Sequence, residues 1–201
     1  MPRKPRLHFE GAFYHVTTRG NNQQKIFFND SDRKKYLYFL RKAKEKFHFR
    51  LHAYILMQNH VHLIIETSEQ GTISEIMHWL NTNYTKYFNW AHEKIGHLFQ
   101  GRFHSALIDK DAYLLEVSRY VHLNPVRAGL LKHPKNYKWS SYSIYINGSE
   151  DNFIEKNLIL SMISDKVNSH TNLYREFVET GIGEDSREFR EKLYKGLLQP
   201  K

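Results

Sequence analysis

His60 and His62 stand two residues apart in the run Gln58-Asn59-His60-Val61-His62-Leu63-Ile64-Ile65-Glu66. The alternation around them and the Val/Ile content predict a strand. On a strand, residues i and i+2 share a face, so the two imidazoles project side by side while Val61, Leu63 and Ile65 point into a core. Two neutral imidazoles on a rigid backbone make a two-point metal platform. The chain holds 13 His in 201 residues. At that composition about one His-x-His pair arises by chance, and half-exposed strand histidines bonded to water or backbone share the spacing, so the pair gains meaning only with further partners.

Those partners lie on a helix predicted from about Asp111 to Leu123. Glu116, Tyr120 and Asn124 fall at i, i+4 and i+8 on one face, and Leu114, Val117 and Val121 form the packing side. A divalent ion held by His60, His62 and one more donor polarises a phosphate oxygen. The third donor is the Asn124 carbonyl oxygen or Glu66, which shares the histidine face of its strand. A tyrosine can then attack phosphorus and form a covalent intermediate. Its hydroxyl titrates near 10 when unperturbed, so it needs a neighbouring cation or base. Tyr113 competes for this role, but its i+4 neighbour, Val117, cannot ligate a metal. A core-edge tyrosine bonded to water is the alternative for either position.

The elements that must hold these groups read as follows. Phe13–Thr18 is aromatic and β-branched and predicts a first strand, broken by Arg19-Gly20-Asn21-Asn22. Asp30 or Ser31 caps a helix over about Asp32 to Phe47, whose buried stripe is Tyr36, Leu40, Ala43 and Phe47. Phe49–Met57 and His60–Thr67 follow as two strands. Thr72-x-x-Glu75 is a capping box opening a long helix through Phe88. Arg102–Ile108 reads as a fourth strand, and Asp109 caps the tyrosine helix. Pro125 lacks an N–H and disfavours helical geometry at Asn124, so the helix ends or kinks there. The resulting β-α-β-β-α-β order is the ferredoxin-like α+β arrangement, an antiparallel sheet with two helices on one face. His60 and His62 then lie on the uncovered face, which the tyrosine-bearing helix crosses. We assign 1–134 to this core. Asn147-Gly148-Ser149 reads as a linker turn, and Asn157–Val167, Thr171–Thr180 and Ser186–Leu198 as short helices of an appendage over 135–201 that covers the core.

Charge narrows the partners. The formal net charge is +9, and residues 1–50 carry 13 Lys/Arg against 4 Asp/Glu, with a further basic excess over 101–150. A phosphate polymer is the natural counter-charge, although solvated lysine faces give the same count. The chain has no cysteine, which excludes disulfides, thiolate metal sites and a cysteine nucleophile and fits a reducing, cytoplasmic setting. No apolar run is long enough to span a membrane, and the basic Met1–Arg6 leads into no apolar signal core.

The run Tyr120-Val121-His122-Leu123-Asn124-Pro125-Val126-Arg127-Ala128-Gly129, with His60-Val61-His62, resembles the single-tyrosine transposases of the HUH endonuclease superfamily. It most resembles their REP-associated branch. Tyr14-His15-Val16-Thr17-Thr18-Arg19-Gly20-Asn21, Gly101-Arg102-Phe103 and Trp139-Ser140-Ser141-Tyr142 extend the resemblance over about residues 8–145. It implies single-stranded DNA beside a hairpin as partner and ATP-independent cutting of one strand. It also implies His60, His62 and Asn124 as ligands of Mg²⁺ or Mn²⁺, and Tyr120 as the nucleophile of a 5′-phosphotyrosine intermediate. Arg19, Arg102 and Arg127 fall in matching motifs, where guanidinium forks suit phosphate oxygens. Two readings stand beside it: a DNA or RNA hairpin-binding module that does not cut, and a metal hydrolase in which the histidines activate water. Monomer and homodimer are both open.

Overall fold

A computed structural model describes residues 7–148 and 151–195. Met1–Arg6, Ser149 of the linker turn and the end of the last helix beyond Lys195 lie outside the described residues. Strands β1 (Phe13–Arg19), β2 (Arg50–Leu56), β3 (His60–Glu66) and β4 (His104–Leu107) form one antiparallel sheet in the order β2-β3-β1-β4. Helices α1 (Asp30–Phe47) and α2 (Ile73–Ala91) connect them, giving the β-α-β-β-α-β order read from the sequence. Among the described residues no helix is long and apolar enough to cross a membrane.

α1 begins at a different cap from the one the sequence suggests. Asn29, not Asp30 or Ser31, is the N-cap, with its side chain accepting from the Asp32 N–H at 3.0 Å. Asp32 answers by accepting from the N–H groups of Phe28 and Asn29 at 2.7 and 3.2 Å. A cap at Asp30 or Ser31 would put Arg33 or Lys34 at the third helical position, where the helix dipole disfavours cations. The other Asp32 oxygen accepts from the Tyr87 hydroxyl and from His92 Nε2, tying the start of α1 to the end of α2. α2 opens on the expected Thr72/Glu75 capping box.

The strand register separates two faces. Phe13, His15, Thr17 and Arg19 of β1 stand opposite Glu66, Ile64, His62 and His60 of β3, and each pair shares a face. Tyr14, Val16, Val61, Leu63 and Ile65 take the other face and are buried in the core with Tyr36, Leu40, Leu80 and Tyr84 of α1 and α2. Asn81 of α2 donates to Thr18 Oγ1 across this face at 3.3 Å.

Helix α3 (Lys110–Arg127) crosses the histidine face over β2 and β3. Of the two outcomes expected at Asn124, an end or a kink, the helix does not end there: it continues through Pro125 to Arg127. Proline removes the donor that Val121 would receive, yet the helix closes with Ala128 N–H on Asn124 O and Leu130 N–H on Pro125 O. One turn earlier, the Tyr120 carbonyl accepts from Asn124 Nδ2 at 2.9 Å and from Arg127 at 3.4 Å.

The back of α3 is pinned by a buried polar chain. His122 is fully buried, with Nδ1 2.7 Å from the Tyr174 hydroxyl and Nε2 2.9 Å from Ser141 Oγ. The Tyr174 hydroxyl donates to Ser118 Oγ, one turn before His122, and Ser141 Oγ accepts from the Tyr54 N–H of β2. Tyr174 lies in α6 (His170–Thr180) and Ser141 just before α4 (Tyr142–Ile146), in the C-terminal part that also holds α5 (Asn157–Ser161) and α7 (Arg187–Lys195). α4 was not anticipated. α5 stops at Ser161 instead of running to Val167, because Ser164 Oγ takes the Lys166 N–H and its carbonyl faces His170 Nε2 at 2.6 Å. Backbone pairs Leu56 N–Trp139 O, Ser141 N–Tyr54 O and Glu155 N–Leu51 O run along the outer side of β2.

Burial holds the His15 and His122 imidazoles neutral, each lowered from 6.5 to about 3; on His15 a nearby His104 adds to the effect. The unfolded chain takes up these protons below pH 6.5 while the folded chain does not, so stability is full above 6.5 and is lost on acidification towards 3. At pH 5 the two groups together cost about 4 kcal/mol, which lowers the thermal midpoint by roughly 10 °C relative to pH 7. A His122→Gln variant should recover about 2 kcal/mol of the acid-induced loss in calorimetric scans at pH 7 and pH 5, the share of one such buried imidazole.

Candidate active site

Arg19, His60, His62, Arg102, Tyr120, Asn124 and Arg127 all line one cleft of ≈ 670 Å³. The sheet supplies the floor: Thr17 pairs with His62 on one side and His104 on the other, and Arg19 pairs with His60 at the strand ends. α3 supplies Tyr120, Asn124 and Arg127 from above, and Ser186, Arg190 and Tyr194 of the C-terminal segment close the side.

The two histidines are set for ligation by what holds their far nitrogens. His60 Nδ1 is 2.7 Å from Asn59 Oδ1; the amide oxygen can only accept, so Nδ1 carries the proton and Nε2 keeps its lone pair. His62 Nδ1 lies 2.8 Å from His15 Nε2 and 3.2 Å from Thr17 Oγ1. With Nδ1 protonated and donating to either, its Nε2 is likewise a lone pair. The rings stand edge to face, 5.0 Å between centroids at 85°. Burial lowers His60 to about 4, helped by Arg19 and opposed by a hydrogen bond with Asn124. Burial, then His15 and His60, hold His62 well below its ordinary value. Both are neutral at physiological pH, as metal ligands must be.

Asn124 is the third donor that the cleft offers. Its Nδ2 is spent on the Tyr120 carbonyl, which leaves Oδ1 to face His60. His60 Nε2 and Asn124 Oδ1, each with its proton-bearing side engaged elsewhere, are two donors that a cation in the cleft could share. A hard divalent cation such as Mg²⁺ or Mn²⁺ suits an oxygen-bearing set of this kind, with Mn²⁺ better matched to the imidazoles. The residues present therefore fit the group. Glu66, the other candidate donor, does not: it accepts from His52 Nε2 at 2.9 Å and Arg50 at 3.0 Å, at the far end of β3. The bulge at His52 between Leu51 and Ala53 turns that imidazole onto the carboxylate.

Tyr120 meets the histidines directly. Its ring centroid is 5.8 Å from that of His62 and 5.9 Å from that of His15, edge-on to both. The side chain is 6 % exposed. Burial and the hydroxyl of Tyr194, to which it is hydrogen-bonded, push the phenol upward; Arg190 and Arg127 pull the other way. The Arg127 guanidinium sits 5.3 Å from the Tyr120 ring centroid. Tyr113, half-buried, is not among the residues lining the cleft, and Glu116 turns aside to pair with Arg119 at 2.7 Å.

Several groups lining the cleft, and the buried His15 behind His62, escaped the sequence reading. His15 and Thr17 share the face of Arg19 at strand spacing, a signal visible once β1 is taken as half-buried. His104 is placed by the β1–β4 register, and Tyr194 by a helix whose docking no local pattern announces.

Known proteins were compared with this chain. A REP-associated tyrosine transposase bound to a REP hairpin shares its fold, with a TM-score of 0.62 at 17% identity, over 83% of this chain and 96% of that one. A putative transposase from Deinococcus radiodurans R1 aligns at 16% identity and a TM-score of 0.43, over 60% of this chain and 95% of that one. No curated protein matches. The family model described as "Transposase IS200 like" matches residues 8–124, a span that holds β1 to β4, both histidines, Tyr120 and Asn124. By that match the chain belongs to the IS200-like transposase family.

Proposed function

We propose that the protein is a metal-dependent single-stranded DNA endonuclease and strand transferase acting at DNA hairpins through a 5′-phosphotyrosine intermediate. The observation that carries this reading is the Tyr120 ring against His62, in a cleft that also holds His60 and Asn124. Family membership supports a DNA transposase, and the hairpin bound by the fold relative supports the choice of DNA. The catalytic core is 1–134, and 135–201 is the helical appendage whose α7 walls the cleft. A cytoplasmic setting belongs to the same reading.

His60, His62 and Asn124 would hold the divalent cation, which when bound would supply polarisation of a non-bridging phosphate oxygen. Arg19, Arg102 and Arg127 hold the phosphate and its neighbours. Tyr120 gives its phenolic proton to solvent and forms the O–P bond; the P–O3′ bond breaks, and the departing oxygen takes a proton to become a 3′-hydroxyl. The diester energy stays in the phosphotyrosine, so the reverse attack by a 3′-hydroxyl rejoins strands without a nucleotide cofactor. Before attack the Tyr120 hydroxyl must exchange Tyr194 for the scissile phosphate. That bond, which keeps the phenol neutral and covered, is also what favours the second reading, a hairpin binder that does not cut. Incubation of labelled hairpin DNA with Mn²⁺ separates the two: an adduct that survives denaturant supports cutting, and retention with no cut strand leaves the binder.

His15 orients the metal ligand His62 through Nε2. A His15→Phe variant keeps the buried ring and removes the acceptor. Mn²⁺ affinity, read by calorimetric titration, should fall about 10–100-fold, while hairpin binding stays.

A further inference from the structure

α1 and α2 pack on the sheet face opposite to the one that carries the cleft, and their outer surfaces meet in a seam. A notch of ≈ 460 Å³ opens in that seam, lined by Tyr38, Phe39, Lys42, Glu45 and Lys46 of α1 and by Trp79 of α2. Tyr38, Lys42, Glu45 and Lys46 fall at i, i+4, i+7 and i+8, one solvent-facing stripe of the helix. Tyr38 is 49 % exposed, while Phe39 and Trp79 are half-buried and rest on the core. Aromatic side chains left at a concave surface mark a docking place, because they bring large contact area at little cost in conformational freedom.

The notch is ringed by ammonium groups that the fold does not consume. Residues 34–46 hold six Lys/Arg and one Glu. Lys44 is engaged by the Asn152 and Phe153 carbonyls, and Arg41 lies over the Phe153 ring. Lys42 pairs with Glu45 at 2.7 Å. Lys35 and Lys46 have no carboxylate partner among the described residues. The Lys35 ammonium stands 4.7 and 5.4 Å from the ring centroids of Tyr38 and Phe39.

Ring geometry decides which polyanion fits. Bases stack on free ring faces set in a row. Here Tyr38 meets Phe39 at 67° and Phe39 meets Trp79 at 76°, edge to face, and Lys35 covers the Tyr38 and Phe39 faces. Glu45 in the wall repels a phosphate. An edge-lined notch instead accepts one apolar side chain, and the ammoniums around it accept carboxylates on either side of that chain.

We propose that this notch docks a partner protein through an acidic peptide segment carrying one large apolar anchor. The anchor sits among Tyr38, Phe39 and Trp79, and its flanking carboxylates meet Lys35, Lys42 and Lys46. The notch lies across the sheet from the cleft, so partner and DNA are held at the same time.

The test is fluorescence anisotropy with a short labelled peptide of Asp and Glu residues around a single Phe, at low salt. Wild type should bind it, and exchanging the peptide's Phe for Ser should cost about ten-fold or more. Tyr38→Gln should weaken binding about five-fold and Lys46→Glu about three-fold, the latter effect shrinking as salt rises. Both positions are exposed on α1, so thermal unfolding and hairpin retention should hold in both variants. A Ser-bearing peptide that binds as well as the original would reduce the surface to diffuse charge attraction and overturn the inference. Affinity unchanged in both variants would do the same, as would no binding up to about 1 mM. A single-stranded oligonucleotide that displaces the peptide and weakens in the same two variants would give the notch to nucleic acid. Self-association of wild type that Tyr38→Gln abolishes, read by sedimentation, would give it to a second copy. Either of these also overturns the inference.

Discussion

Tyr120→Phe should abolish the denaturant-resistant protein–DNA adduct and reduce strand cleavage at least about 10³-fold, because the nucleophilic oxygen is the one atom removed. The fold should survive. The ring contacts with His15, His62 and Phe189 are unchanged in phenylalanine, and the Tyr194 hydroxyl keeps a neighbour in Thr17 Oγ1 at 3.4 Å. The loss of one hydrogen bond costs about 1 kcal/mol. Hairpin affinity should stay within about two-fold, since only the phenol oxygen is lost from a cleft lined by four arginines. The measurement is a denaturing gel of labelled hairpin DNA with Mn²⁺, run beside an affinity titration. Free cut strand without adduct in wild type would make water the attacking group and return the hydrolase reading. Loss of the adduct in Tyr113→Phe instead would put the wrong face of α3 over the sheet.

His60→Ala should weaken Mn²⁺ binding at least about 100-fold, beyond what loss of an outer partner costs, and cutting should fall with it at fixed metal. His60 is the better ligand to remove. It is half-buried at the strand end, whereas His62 is 2 % exposed and its loss would strand His15 in the interior. Asn124→Ala should do less to metal affinity, but it also removes the side-chain donor to the Tyr120 carbonyl. A calorimetric Mn²⁺ titration of each variant reads this directly. Cutting by His60→Ala with an unaltered Mn²⁺ requirement would take His60 out of the ligand set. Chelation of wild type should stop cleavage while leaving hairpin retention in place.

Much of this arrangement could be read from residue spacing because the relevant forces are local. His60-Val61-His62 had to share a face by strand geometry, and Thr72-x-x-Glu75 had to open a helix by capping chemistry; both are as expected. The sheet order followed from the element order. The misreadings have non-local causes. The cap of α1 fell to Asn29 because of a reciprocal bond with Asp32, itself held from α2 by Tyr87 and His92. Pro125 does not end α3, because the turn after it still closes, with Ala128 N–H on Asn124 O and Leu130 N–H on Pro125 O. Glu66 sits on the expected face but is captured across the sheet by a bulge residue, His52, that no period-two pattern locates. His104 and Tyr194 reach the cleft only through register and docking.

The backbone pairs that Trp139, Ser141 and Glu155 make along β2 bear on solubility. An outermost strand with unsatisfied amides is a template on which a second molecule can nucleate cross-molecule ladders and, in the end, fibres. Here that flank is capped by the molecule's own later segment, while β4 on the opposite flank spans four residues, about one strand-repeat too short to seed a durable ladder. Molecules crowded together on a shared polyanion, with their mutual charge repulsion neutralised, therefore meet without an adhesive rim. A truncation before Trp139 should reverse this and show up as thioflavin-positive aggregates.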